Sequence, residues 1–239
     1  MRKKSYIILF AILIAFIPNK QIYAFDLDSA MKIVEAKYAT VNDYTCNFSK
    51  EEYHDGEYVQ WQNVIFKYRK PDNYYIKWTE GSMEGTEIIY AGKKYNYKMK
   101  GHLGGILNLL NFDIDPLGSI AMRNSRHSIF ESSIGFLIKL MKDNIKEAKN
   151  QNTGKIEFIK IVKLNNRVAE LYKAEFPVDK GFYGHIIYIY LDNLLNLPVK
   201  LVVYDWNKNL TESFIISNLK INVGLKDIDF DAENNSYEF

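Results

Sequence analysis

A stretch of alternating aromatic and β-branched residues, Tyr58 to Tyr97, most constrains how this chain can fold. Within it, Tyr74, Ile76 and Trp78 fall on one side of an extended segment, and the residues between them fall on the other. Alternation with a period of two is typical of a strand with one covered face. Proline and glycine residues divide the stretch into short runs, the last of them Tyr95 to Met99. The pattern predicts an antiparallel meander that curves as it twists.

The flanking segments extend this sheet on both sides. Tyr44 to Tyr53 begins with the same alternation and leads through Asp55-Gly56 into Tyr58 to Tyr68, which predicts a hairpin. Five more strands are predicted in the second half, bounded by turn residues: Ile156–Leu164, Arg167–Phe176, His185–Leu191, Val199–Tyr204 and Phe214–Val223. The predicted fold class is α+β, a curved antiparallel sheet of about ten strands forming an open half-barrel, with helices covering its concave face.

Three apolar segments are predicted to supply that cover. The first is a short amphipathic helix after Asp28-Ser29, with its stripe at Ala30, Ile33, Val34 and Tyr38. The second, Ile106 to Phe112, follows two glycines that permit movement, and it predicts a lid. The third has apolar residues at helical spacing: Ile134, Leu137, Ile138 and Met141. Leucine and methionine on such a stripe suit either core packing or the wall of a ligand groove.

The N-terminus has the pattern of an export signal. Arg2-Lys3-Lys4 precedes an apolar run, and Ala24 suits a cleavage site. An uncleaved anchor is the alternative, because Ile22 stands where the cleavage pattern prefers a small residue. No cysteine follows the run to carry a lipid. The predicted organisation is a signal peptide over 1–24 and a single domain over 25–239, in a periplasmic or otherwise exported location.

Charge and cysteine content exclude several classes of site. Without residues 1–24 the chain carries 27 basic and 29 acidic residues, so its charge offers no basis for binding nucleic acid. Cys46 is the only cysteine, which excludes an intramolecular disulfide, and we interpret it as a small, partly buried strand residue. The four histidines lack metal-ligand spacing, so neither a metal nor another cofactor is expected.

One polar cluster has two interpretations. Arg126 and His127, beside Ser125 and Glu131, suit anion binding or acid/base chemistry, since histidine titrates near neutral pH. Ser128 followed three residues later by Glu131 is also typical of a capping box at the start of a helix. We favour the cap and keep Arg126 and His127 as a candidate polar site.

Several runs carry a resemblance to a known superfamily. The first run is a strand that ends in Arg and Pro and leads into a second strand, over Phe66–Trp78. The second is a Gly-Lys turn that leads into aromatic residues, within Ile88–Tyr97. The last two are closing strands that include Leu197–Lys200 and Asn218–Asn222. Together these runs resemble the periplasmic lipoprotein carriers of the LolA/LolB-like superfamily. Asn124 to Ile129 and Asp227 to Asp231 more closely resemble an exported bacterial family of unknown function within that fold.

The resemblance implies a half-barrel whose apolar concave face holds lipid acyl chains. The residues then expected to contact the ligand are Trp61, Ile65, Tyr74, Ile76, Trp78, Tyr90, Leu107, Leu110, Leu137 and Met141. In the carriers an arginine before the proline hydrogen-bonds the lid, and Arg69 corresponds to it, although Lys70 intervenes before Pro71. Because one added residue reverses the face of a strand, a solvated charge on an edge strand is the alternative for Arg69.

The predicted function is a non-enzymatic, exported carrier or sensor, acting as a monomer. It binds lipid, lipoprotein acyl chains or another apolar ligand under a helical lid, with an envelope membrane protein as an expected partner. Two alternatives stay open. One is an envelope hydrolase or transferase that uses Arg126 and His127, and the other is an interaction module whose sheet docks on an envelope protein.

Overall fold

The computed structural model describes residues 27–54, 56–105, 111–123, 125–164 and 166–239. The predicted signal peptide lies outside them. The two α-helices among them are α1, Leu27–Ala39, and α2, Ile134–Asn150. The strands are β1 Asp43–His54, β2 Glu57–Arg69, β3 Asn73–Lys77, β4 Glu87–Tyr90, β5 Met99–His102, β6 Asn111–Ile114, β7 Lys155–Leu164, β8 Arg167–Glu175, β9 Ile186–Asp192, β10 Pro198–Tyr204 and β11 Leu210–Ile221.

These strands form one antiparallel sheet in the order β6-β5-β4-β3-β2-β1-β11-β10-β9-β8-β7. Consecutive strands are neighbours except at the centre, where the last strand pairs with the first and sets Phe48 opposite Ile216. Strands β6 and β7 are the two edges, so the sheet is open. The structure therefore confirms the α+β class, the open curved sheet and the predicted β1–β2 hairpin.

Both helices pack against the same face of the sheet. Ser133 caps α2 by accepting a hydrogen bond from the Phe136 amide, and the Tyr44 hydroxyl accepts one from the Ile134 amide at 3.0 Å. In α1 the buried apolar side chains include Met31 and Val34, while Ile33 is 53% exposed, so the predicted stripe was wrong at Ile33. Among the described residues, no helix combines the length and apolar character that crossing a membrane requires.

The opposite face is covered by the C-terminal strap, residues 225–239. Phe230 is 1% exposed and packs in a separate apolar cluster with Tyr75 and Ile89. The Tyr237 ring stacks on Tyr75 with centroids 4.2 Å apart. Acidic strap residues pair with basic residues of the sheet and its turns: Asp227 with Arg69, Asp229 with Lys67, Asp231 with Lys94, and Glu238 with Lys77.

Two predictions about side-chain direction were wrong. Ile65 packs against the strap cluster, on the face away from the helices. Arg69 is on that face too, where its guanidinium pairs with Asp227 at 2.6 Å and lies 5.1 Å from the ring centre of Phe230. Arg69 therefore neither latches a lid nor lies on an edge strand, because β2 is central in the sheet.

One local assignment also differs from the prediction. Tyr95 ends a 3-10 helix that begins at Gly92, and the next strand begins only at Met99. The predicted lid falls largely at residues 106–110, outside the described part of the chain, and its last residue, Phe112, is in β6.

Candidate functional site

A cleft of about 600 Å³ opens between the first half of the sheet and the segment that follows β6. We call residues 115–132 the cover segment, of which all but residue 124 are described. Apolar side chains from β2 to β6 and from the residue after β3 line it, namely Trp61, Ile76, Trp78, Ile88, Met99 and Ile114, and the cover segment adds Ile120, Ala121 and Ile129. A volume of this size is in the range of pockets that bind small organic ligands.

The structure brings together only part of the predicted ligand-contact set. Trp61, Ile76 and Trp78 line the cleft, and the two indole rings meet edge to face at 5.0 Å. Tyr74 and Tyr90 instead pack around Phe130 of the cover segment.

The remaining predicted contacts lie elsewhere. Leu137 and Met141 lie in the core under α2, where the space beside Met141 is only about 30 Å³, so they pack rather than line the cleft. Leu107 and Leu110 lie outside the described residues.

A β-bulge in β2 turns Trp61 towards the cleft side of the sheet, the side that Lys50 of β1 also faces. Phe48 lies opposite Val64, whereas Lys50 lies opposite Trp61, so β2 contains one extra residue between these pairs. Asn63 in this bulge has φ of 46°, in the left-handed region that asparagine tolerates better than most residues. As a result the Lys50 ammonium lies 4.2 Å from the ring centre of Trp61.

Lys50 belongs to a buried polar network behind the cleft wall. Its ammonium pairs with Glu52 at 2.5 Å and donates to the Ser125 hydroxyl at 2.8 Å, and the lysine and glutamate side chains are 3% and 0% exposed. Burial lowers the pKa of Lys50, although the nearby Glu52 carboxylate opposes that shift. The Arg126 amide donates to the other oxygen of Glu52, which fastens the cover segment to β1.

His127 extends the network to β11. Its Nε2 lies 2.8 Å from the Glu212 carboxylate, whose other oxygen accepts a hydrogen bond from the Tyr183 hydroxyl. Glu212 is 0% exposed, and burial together with Glu212 raises the pKa of Tyr183 far above its usual range. The Tyr183 hydroxyl also lies 2.7 Å from Nε2 of His127, so the imidazole, the phenol and the carboxylate form one hydrogen-bonded cluster.

The predicted capping box is confirmed, and it holds the same segment. The Ser128 amide donates to Glu131 at 3.0 Å, although the box caps a short 3-10 helix, Ile129–Glu131, rather than an α-helix. The cap and the polar cluster were alternatives in the sequence, yet the structure contains both. Cys46 is buried in β1, and burial raises the pKa of its thiol.

Sequence reasoning missed half of this network. Lys50, Glu52, Glu212 and Tyr183 were not predicted as site residues. The available signal was strand alternation, because Lys50 and Glu52 continue the buried series of Tyr44, Cys46 and Phe48 along β1. In the part of the chain that the structure describes, no group of three His, Cys, Asp or Glu side chains is placed to hold a metal ion.

Several solved structures have a similar chain path. Lipoprotein LppX of Mycobacterium tuberculosis matches at TM-score 0.49 and 9% identity, over 85% of this chain and 97% of that one. A LolA superfamily protein of Nitrosomonas europaea matches at TM-score 0.38 and 9% identity, over 87% and 98%. A DUF1329 family protein of Desulfovibrio piger matches at TM-score 0.36 and 13% identity, over 86% and 97%.

One of these structures belongs to the superfamily that the sequence motifs resemble. At such identities and TM-scores the likeness concerns the chain path, and it transfers neither a ligand nor an activity. No curated protein matches this chain by sequence. Residues 41–239 match the family model described as "Protein of unknown function (DUF1571)", so the chain belongs to the DUF1571 family.

Proposed function

We propose that this protein is an exported, non-enzymatic carrier or sensor that holds the apolar part of a lipid or lipoprotein in the cleft. The cleft carries the proposal, since its wall combines Trp61, Trp78 and aliphatic side chains from five successive strands. Sheltering an acyl chain there gains about 0.8 kcal/mol for each buried methylene, enough for capture without chemistry. The export pattern of residues 1–24 supports an envelope location, where an envelope membrane protein would load or unload the ligand.

The cover segment supplies a path for entry and release. Its end near α2 is held by the buried network through Ser125, Arg126 and His127. Its other part is exposed, with Leu117 and Ile120 at 66% and 74%. Displacing that part opens the cleft without breaking the buried ion pairs.

One observation favours the hydrolase or transferase alternative. The Glu212 carboxylate orients the His127 ring, and a histidine oriented by a carboxylate is typical of general bases. A nucleophile for that base is missing among the described residues, because no serine, threonine or cysteine side chain is hydrogen-bonded to the His127 ring. We therefore assign the network to positioning rather than turnover. Acyl-ester hydrolysis that disappears in His127→Ala would be the signature of the enzyme.

A charge placed in the cleft floor tests the carrier proposal. Ile88 lines the cleft from β4, and Ile88→Arg should weaken binding of a fluorescent fatty acid by about tenfold or more, because the guanidinium fills the space and must be desolvated by the ligand. Val178 is 55% exposed in the loop after β8, so Val178→Arg is the matched control and should bind as the wild type does. Equal binding by both variants, or no binding by the wild type, contradicts the proposal.

A further inference from the structure

The mouth of the cleft carries a group of exposed apolar side chains. Tyr58 and Ile120 both line the cleft, yet they are 47% and 74% exposed. The Tyr58 ring packs beside Tyr53, which is 50% exposed, with ring centres 5.0 Å apart. Leu117, three residues before Ile120 in the cover segment, is 66% exposed. We call these four residues the rim.

The topology of the sheet places the mouth at one end of the strands. In an antiparallel sheet alternate connections lie at the same end, so the β1–β2 turn beside Tyr53 and Tyr58 shares its end with the β3–β4 connection. Residues of that connection, Gly81, Ser82 and Met83, also line the cleft. The cleft therefore opens at this end, between the hairpin tip and the cover segment.

The opposite end of the sheet shows single exposed apolar residues instead. Tyr97, 57% exposed, lies in the β4–β5 connection, and Leu194, 83% exposed, lies in the β9–β10 connection. Four strands separate these two connections. Single exposed apolar residues are normal on a protein surface, whereas a group of them around an opening marks an interaction surface.

The chemistry of the rim matches a phospholipid bilayer. Tyrosine combines an apolar ring with a polar hydroxyl, so Tyr53 and Tyr58 suit the boundary between hydrocarbon and water. Arg123 lines the cleft and is exposed, and within the described part of the chain no carboxylate is in ion-pair distance of it. Its guanidinium is therefore available to a lipid phosphate beside the apolar side chains.

We propose that the rim inserts into the head-group boundary of a phospholipid bilayer, so that the cleft opens directly onto the hydrocarbon. The bilayer then covers the rim and excludes water from the mouth. An acyl chain that moves between bilayer and cleft stays out of water, and this avoids the unfavourable hydration of its methylenes. This inference rests on the proposed carrier function and adds the surface with which the ligand is exchanged.

Flotation with phospholipid vesicles tests the docking. In vesicles of equal parts dioleoyl phosphatidylethanolamine and dioleoyl phosphatidylglycerol, the wild type should float, and it should stay bound in about 0.5 M sodium chloride because salt does not screen apolar insertion. Tyr53→Asp and Leu117→Asp should each weaken vesicle binding about tenfold or more, since a carboxylate must then enter the boundary. Neither side chain lines the cleft, so both variants should bind a fluorescent fatty acid as the wild type does.

Tyr97→Asp and Leu194→Asp are the matched controls, because they place the same charge on exposed residues at the opposite end of the sheet, and both should float as the wild type does. Equal flotation of all four variants, as binding through residues 1–24 would give, overturns the proposal. So does a wild type that does not float or that salt releases. Dimers of the wild type that dissociate in the rim variants, without flotation, would assign the rim to a second copy. In each of these cases fatty-acid binding by the wild type keeps the carrier function, and its absence removes that function instead.

Discussion

Replacing Glu212 with alanine is expected to lower the free energy of unfolding by about 3–5 kcal/mol. Glu212 is fully buried and is the acceptor for both His127 and Tyr183, and its charge helps to balance Lys50. Removing one member of a buried, hydrogen-bonded ion network leaves the other charges and donors uncompensated in a medium of low dielectric constant. Chemical denaturation monitored by circular dichroism measures the change.

Asp143→Ala provides the comparison for Glu212→Ala. Asp143 pairs with Lys139 at 2.6 Å on the exposed surface of α2, so the pair resembles the buried ones in distance and differs in burial. Asp143→Ala should therefore change the free energy of unfolding by less than about 1 kcal/mol. A loss of that small size for Glu212→Ala would show that the network does not hold the cover segment to β11.

Phe230→Ala is expected to lower the free energy of unfolding by about 3–5 kcal/mol while leaving ligand binding unchanged. The ring is 1% exposed, packs in the cluster with Tyr75 and Ile89, and lies under the Arg69 guanidinium. Its truncation leaves a cavity between the strap and the sheet. Because the strap and the cleft are on opposite faces, fluorescent fatty-acid affinity measured below the unfolding transition should match the wild type.

Ile228 lies in the same strap but is 48% exposed, so Ile228→Ala isolates the contribution of burial. Ile228→Ala should lower the free energy of unfolding by less than about 0.5 kcal/mol. If Phe230→Ala cost no more than Ile228→Ala, the strap would be a surface appendage rather than part of the packed structure.

The fold was predictable where local pattern decides it. Alternation in Tyr44 to Tyr53 and in the five late runs placed six strands within a few residues of their ends. The pairing of β11 with β1 was not predictable, because no local signal joins segments so far apart in the chain. Tyr95 was misassigned because its aromatic alternation competes with Gly92 and Asn96, whose positive φ values form a turn.

The site was predictable in its parts but not in its assembly. Ile76 and Trp78 follow from strand alternation and His127 from the polar cluster, whereas Trp61 reaches the cleft because of the bulge in β2. Ile65 was placed on the face of Trp61, but the extra residue in β2 sets these two side chains on opposite faces, because one inserted residue reverses every side chain beyond it. Arg69 lies on the same outward face as Ile65. The central pairing of β1 with β11 brings Lys50 and Glu52 of β1 close to Glu212 of β11, next to His127.

Tryptophan quenching by a brominated acyl chain tests most directly whether the cleft binds lipid. The chain has three tryptophans, and only Trp206, 37% exposed in the turn after β10, lies away from the cleft. Bromine quenches an indole only at close range, so dibrominated stearate should quench Trp206→Phe as strongly as the wild type, and the Trp61→Phe/Trp78→Phe variant hardly at all. Saturable quenching confined to Trp61 and Trp78 is the predicted result, and undiminished quenching in the double variant, or none in the wild type, would contradict it.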